Sequence, residues 1–75
     1  MTKPNHYAAM LKEMEAWIAE QEAAGWQSDE VRYWAERVKY GLWACANNRE
    51  LTPVMLEALA HETKELAKAK AATAE

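Results

Sequence analysis

An all-α fold is predicted by three features of this 75-residue sequence. Helix-forming residues such as Ala, Glu, Lys, Leu and Met are abundant, whereas the chain has only two Gly, two Pro and no Phe. Apolar residues recur at helical intervals of three and four, and no window shows the alternating pattern of a β-strand. We therefore predict one small domain, an antiparallel helical hairpin with a third helix packed across it as a three-helix bundle.

The first helix is predicted over residues 5–24, after a frayed leader at residues 1–4. Asn5 is a good N-cap residue, and Gly25 suits the left-handed position that follows a helix C-terminus. The apolar residues are spaced like the a and d positions of a heptad repeat: Tyr7, Met10, Leu11, Met14, Trp17 and Ile18. One face of this helix should therefore pack against a neighbour, and its two Met make that face adaptable.

The second helix is predicted over residues 28–47, with Ser28 as its N-cap and Asp29 and Glu30 favouring its positive end. The short link after Gly25 makes the first two helices antiparallel neighbours. A core-facing stripe is formed by Val31, Trp34, Ala35, Val38, Leu42, Cys45 and Ala46. Gly41 lies on the same stripe, where the missing side chain should let a neighbouring helix approach closely.

The third helix is predicted over residues 53–69, after a break at residues 47–50. Thr52 is placed to cap it, and Pro53 occupies the first position, where a missing N–H costs nothing. Its apolar stripe is predicted to contain Met55, Leu56, Leu59, Thr63 and Leu66. Residues 70–75 carry nothing large to bury, and we expect a frayed tail there.

The charge distribution disfavours nucleic acid as a partner. The formal net charge is −3, and no segment of the chain is a basic patch that could neutralise phosphates. The acidic residues of the first helix could mimic phosphate toward a basic partner, but they are spread around the helix like an ordinary solvated face: Glu13, Glu15, Glu20 and Glu22. A helix-turn-helix reading of the hairpin is weakened because the candidate recognition helix begins Ser-Asp-Glu.

The residues that could support chemistry are few. His61 has Glu57 four residues before it and Glu65 four residues after it, which reads best as a solvated row of charges. His6 has still less support near the N-terminus. Cys45, the single cysteine, lies on the core stripe and reads as a small buried hydrophobe. We therefore expect no enzyme activity, no catalytic residue, no metal ligand and no cofactor.

The expected location is the cytoplasm. A single Cys cannot form an internal disulfide, and the N-terminus shows no signal-peptide pattern. No apolar run approaches the roughly 20 residues that a membrane span requires, so no membrane association is expected.

A second face of the predicted second helix is the most informative feature for function. It carries Tyr33, Arg37, Tyr40, Trp43 and Ala44, a composition typical of protein interfaces. The third helix or the N-terminal leader could cover this face within one chain. If neither does, symmetric pairing with a second copy is the simplest solution, and a homodimer is expected.

Three functions from different classes follow from these observations. The first is a non-enzymatic helical protein that binds and inhibits a larger macromolecule, in the style of the small acidic inhibitors of phages and mobile elements. The second is an oligomeric protein that sequesters a planar ligand such as a nucleotide, stacked among Trp43, Tyr40 and Arg37 of neighbouring subunits. The third, less favoured, is a DNA-binding regulator of the helix-turn-helix type.

Overall fold

Three α-helices make up the computed structural model, which describes residues 6–74. Helix α1 spans His6–Ala24, α2 spans Asp29–Asn47 and α3 spans Pro53–Ala74. No strand occurs within these described residues. The predicted all-α fold of three helices is confirmed. The predicted leader at residues 1–4 and the predicted cap at Asn5 lie outside the described residues.

The ends of the helices follow from local hydrogen bonding. Gly25 directly follows the last residue of α1 and adopts the left-handed region, with φ of 83°. The Ser28 hydroxyl accepts a hydrogen bond from the amide of Val31 at 3.4 Å, and the Thr52 hydroxyl accepts one from the amide of Met55 at 3.2 Å. Both residues are therefore the N-caps that their positions predicted. At the other end of α2, Asn47 and Asn48 donate side-chain hydrogen bonds to carbonyls of the last turn.

The core is built around α2. Five of the nine buried residues belong to this helix, and the buried set contains no polar or charged residue among those described. The complete set is Ile18, Val31, Ala35, Val38, Leu42, Cys45, Leu59, Leu66 and Ala69. On α2 this matches the predicted stripe, except that Trp34 and Ala46 lie at its edges and are half-buried. The position of the stripe on α2 therefore fixes the positions of the other two helices.

Helix α2 lies between α1 and α3 and packs against both. Within residues 6–74, no Cα atom of α1 comes within 8 Å of one in α3. The molecule is accordingly flat, with extents of 43 × 24 × 15 Å. Gly41 permits the close packing of α2 on α3, because a Cβ at this position would lie 3.1 Å from Cδ1 of Leu59. The predicted role of Gly41 in helix approach agrees with this geometry.

The third helix differs from its prediction in phase and in length. Its packed side is formed by Met55, Leu59, Glu62, Leu66 and Ala69. Leu56 and Thr63, which were predicted on the apolar stripe, are exposed. They lie on a neighbouring side of the helix and not on the packed side. The helix is also longer than predicted, because α3 continues to Ala74.

Small and long side chains anchor the end of α3. Ala69 is only 4% exposed and belongs to the core. The ammonium of Lys70 lies 4.1 Å from the ring centroid of Trp17 in α1, a cation–π contact across the molecule. The hydroxyl of Thr73 donates to the carbonyl of Ala69 at 2.9 Å. The segment therefore packs without any large apolar residue, although the sequence-based prediction assumed that one was needed.

Two alanines of this segment give a matched test. Ala69→Glu would bury a carboxylate in the core and should lower the free energy of unfolding by about 2–4 kcal/mol. Ala71→Glu introduces the same charge at an exposed position and should change it by less than about 0.5 kcal/mol. Chemical denaturation followed by circular dichroism measures both. Equal midpoints would show that the end of α3 does not pack on the core.

Candidate interaction surface

The outer side of α2 carries large aromatic side chains that no helix covers among the described residues. Tyr33 is 52% exposed, Tyr40 is 68% exposed and Trp43 is 57% exposed. These residues lie opposite the core stripe because the helical repeat turns by about 100° per residue. We call this surface the aromatic face and define it by the predicted residues Tyr33, Arg37, Tyr40, Trp43 and Ala44. Helix α3, one of the elements considered for covering it, leaves the three rings exposed and reaches the face only at Arg37.

The edge of the aromatic face nearer α3 is held by a chain of specific contacts. The ring of Tyr33 meets Trp34 edge-on at 5.0 Å between centroids. Cζ of Arg37 lies 5.3 Å from the Tyr33 ring centroid. Nε of Arg37 donates to Oε2 of Glu62 in α3 at 3.1 Å, and the Glu62 side chain is only 14% exposed. The positions of Tyr33 and Arg37 are therefore set before any partner binds.

The edge nearer α1 is a shallow depression of about 300 Å³. Tyr40, Trp43 and Lys39 of α2 line it together with Leu11 and Glu15 of α1. The ammonium of Lys39 lies 5.5 Å from the Tyr40 ring centroid. This edge thus combines two exposed aromatic rings with one cation and the carboxylate of Glu15.

The ligand site that the sequence suggested uses residues of neighbouring subunits, and within one chain its residues lie on two different edges. Trp43 faces the α1 side, whereas Arg37 is held toward α3 by Glu62. Within one chain, the structure therefore does not gather Trp43, Tyr40 and Arg37 around one pocket. Lys39, which the sequence reading did not select, is the cation that lies beside Tyr40 and Trp43.

A second surface lies on the opposite side of the molecule, between α1 and α3. It is an open groove of about 330 Å³. Its apolar lining comes from all three helices: Met10, Met14, Trp17, Val38, Leu42, Leu66 and Ala67. Glu13 lies on the α1 wall, and Thr63 and Lys70 lie on the α3 wall. We call it the α1–α3 groove.

The sequence reading missed this groove because it assigned the heptad row of the first helix wholly to the core. Met10 is instead 47% exposed, and Met14 and Trp17 are half-buried. A signal was present, since two Met in one row are typical of an adaptable binding surface as well as of a core. The sequence did not show that α3 packs beside α2 and leaves this side of α1 uncovered.

The acidic residues of α1 do not share one surface. Glu13 lines the α1–α3 groove, whereas Glu15 lines the depression beside Tyr40. All four carboxylates, Glu13, Glu15, Glu20 and Glu22, are exposed. This arrangement fits a solvated helix better than a dense phosphate-like stripe.

The histidine and cysteine singled out by sequence have structural surroundings. The ring of His61 is exposed and lies 5.8 Å from Trp34, edge to face. Cys45 is buried in the core with a free thiol. In the part of the chain that the structure describes, no group of three or more His, Cys, Asp or Glu residues is arranged to hold a metal ion. None of the described helices combines the length and the apolar character that crossing a bilayer requires.

Comparison with protein-family models, with curated proteins and with solved structures gave no match to this chain. The fold and surfaces define it as an all-α protein of three helices with an exposed aromatic face.

A charge on the aromatic face tests whether the face is free within one chain. At sub-micromolar concentration, Tyr40→Glu should change the free energy of unfolding by less than about 0.5 kcal/mol, because the ring is mostly solvent-exposed. Leu42→Glu, two residues further along α2, should unfold the protein, since Leu42 is 1% exposed. Circular dichroism with denaturant measures both. Unfolding of Tyr40→Glu would mean that this ring is a core residue.

Proposed function

We propose that this chain is a non-enzymatic interaction protein that forms a homodimer and inhibits a larger macromolecule. The observation that carries the proposal is the aromatic face, on which three large rings are each more than half exposed. Tyr, Trp and Arg are the residues that dominate binding energy at protein interfaces. The proposed likeness to small acidic inhibitors of phages and mobile elements is one of size and charge. Its site of action is the cytoplasm, where a lone thiol such as that of Cys45 stays reduced.

The size of the aromatic face favours a weak dimer. A buried aromatic side chain covers about 150–250 Å², so three rings at slightly over half exposure contribute roughly 300 Å² per copy. A standard interface buries about 800 Å² per partner. Flanking side chains of α2 add to the aromatic area, but the total area buried per partner stays at the low end of the range for protein interfaces. Association in the micromolar range is the expected consequence.

The larger partner binds the α1–α3 groove, which remains accessible when the aromatic face is paired. The groove lies on the other side of α2, so one copy can use both surfaces at the same time. Met10 and Met14 supply flexible, polarisable contacts that adapt to a partner's surface. A dimer thus presents two grooves and can bind a target at two points, which raises avidity.

Dimerisation is tested with Tyr40→Glu, the variant that is expected to leave the fold intact. The wild-type protein should sediment as a dimer at micromolar concentration, and Tyr40→Glu should sediment as a folded monomer, because pairing would bury an uncompensated carboxylate. Ala71→Glu adds the same charge at an exposed position on α3 and should remain dimeric. A monomeric wild type at high micromolar concentration contradicts the homodimer.

Target binding is tested by filling the groove. Ala67→Trp should abolish capture of the target from an extract of the native host, since the indole occupies the space between α1 and α3. Lys64→Trp places the same ring at an exposed position that does not line the groove and should retain capture. Circular dichroism confirms that both variants fold. Capture of the same protein by both variants rejects the groove as the target site.

A second candidate function is sequestration of a planar, anionic ligand. The depression beside Tyr40, Trp43 and Lys39 favours it, because aromatic rings stack on a planar group and the ammonium can pair with phosphate. Under this alternative, millimolar ATP should raise the Tm of the wild-type protein by several degrees. Trp43→Ala should remove the shift and Val54→Ala, at an exposed apolar position on α3, should keep it. An unchanged wild-type Tm rejects this candidate for ATP.

A further inference from the structure

The α1–α3 groove continues past Lys70 into a smaller cavity. Both spaces are lined by Trp17 of α1 and Lys70 of α3. The smaller one has a volume of about 130 Å³, and we call it the end cavity. Its remaining lining residues are Gln21, Gln27, Val31 and Thr73. Lys70 and Trp17 therefore lie at the boundary between two parts of one cleft.

The two parts of the cleft differ in polarity. The groove is mostly apolar, and its one acidic lining residue, Glu13, is exposed to solvent. Within the described residues, no carboxylate lines the end cavity. The side-chain amides of Gln21 and Gln27 offer N–H donors there, whereas the hydroxyl of Thr73 already donates to the carbonyl of Ala69. The cleft is therefore apolar along the groove and able to donate hydrogen bonds at one end.

The ammonium of Lys70 has no acidic partner at this boundary. It lies 4.1 Å from the ring centroid of Trp17, and within residues 6–74 it forms no ion pair. The Trp17 ring is held in turn by Trp26, whose ring packs against it in a T-shaped arrangement at 5.7 Å between centroids. An ammonium carries three N–H donors, and those that point away from the ring remain free. The contact therefore positions a positive charge with which an anionic group can pair.

The dimensions of the groove suit a single alkyl chain. Its volume of about 330 Å³ is about twice that of an apolar cavity of roughly 150 Å³ that holds one benzene molecule. By that comparison the groove accommodates about ten to twelve carbon atoms. Because the side chain of Lys70 crosses from α3 to the ring of Trp17, the gap is only about as wide as a lysine stem is long. A flexible chain can therefore lie along the groove from Lys70 toward Met10.

We propose that this cleft binds a free, single-chain anionic amphiphile, a fatty-acid carboxylate of about ten to twelve carbon atoms. Its alkyl chain lies along the groove, and its carboxylate pairs with Lys70 beside the amides of Gln21 and Gln27. This inference goes beyond the proposed function, because it requires no partner protein. The amphiphile occupies the surface at which we propose that the larger partner binds, so each excludes the other.

The charge of the head group gives the first test. Isothermal titration calorimetry compares decanoate with decyltrimethylammonium at pH 7, both below their micellar concentrations. Non-specific association with a chain of net charge −3 favours the cationic amphiphile, whereas the proposed site should bind decanoate more tightly. Octanoate should bind about four- to sixteenfold more weakly than decanoate, because each buried methylene tightens binding by about two- to fourfold.

Two lysines provide matched variants. Lys70→Gln should weaken decanoate binding by about three- to fivefold, the effect of an ion pair at an exposed ammonium, and Lys70→Arg should retain it. Lys39→Gln removes the cation from the depression beside Tyr40 and should bind decanoate like the wild type. Circular dichroism confirms that each variant is folded.

The position of the chain is measured by nuclear magnetic resonance. The methyl signals of Met10 and Met14, which line the groove, should shift as decanoate is added. The methyl signal of Met55, which lies on α3 outside the groove lining, should stay in place.

The outcomes separate this inference from the proposed function. Absence of decanoate binding, tighter binding of the cationic amphiphile, or weaker binding in Lys39→Gln but not in Lys70→Gln overturns the amphiphile site. None of these results bears on the homodimer or on capture of the larger target, which are measured without amphiphile. Preference for decanoate, its dependence on Lys70 and shifts confined to Met10 and Met14 together support the inference.

Discussion

The structure depends on one constraint, which is that α2 has apolar residues on two sides and residues 6–74 supply only two other helices. Both of these helices pack on the narrow core stripe, where Ala35 is fully buried and Leu42 is 1% exposed. Burial of this stripe is the main apolar contribution that holds the three helices together. Because both helices pack on this stripe, Tyr33, Tyr40 and Trp43 remain exposed. The flat shape and the exposed aromatic face thus have a common cause.

Small residues make it possible for two helices to share one stripe. At Gly41 the backbone of α2 comes so near Leu59 that an added Cβ would lie 3.1 Å from its Cδ1. Ala35 and Ala69 are buried with almost no exposed area. Where α1 and α3 diverge around α2, the long side chain of Lys70 reaches the ring of Trp17. Small residues therefore allow both helices to pack closely on α2, and a long side chain bridges the space that remains between α1 and α3.

Much of this fold could be predicted from local signals. Ser28, Thr52 and Gly25 mark helix ends through their own hydrogen bonds or backbone angle, and these signals act over a few residues. The end of α3 could not be predicted in this way. Burial of Ala69 depends on the position of another helix, and an alanine looks the same in sequence whether it is buried or exposed. The phase of α3 was misjudged for the same reason, since Glu62 lies on its packed side as the partner of Arg37.

The candidate surfaces, too, could be predicted from the sequence only in part. The exposed residues of the aromatic face followed from helical periodicity, because a helix has a fixed repeat and the core stripe defines its opposite side. The role of Lys39 and the existence of the α1–α3 groove could not follow from periodicity. Both depend on how far α1 and α3 are separated across α2. A row such as Met10, Met14 and Trp17 has the same spacing whether a third helix covers it or not.

The order within the aromatic face favours the proposed association despite the small surface. Binding loses free energy when mobile side chains become fixed, by roughly 0.5–1.5 kcal/mol for each long side chain. Arg37 is already held by Glu62, whose side chain is mostly buried, and Tyr33 lies between Arg37 and Trp34. Tyr and Trp have few rotatable bonds, so Tyr40 and Trp43 lose little freedom. Because these ordering costs are partly met during folding, more of the modest apolar area remains available to stabilise a complex.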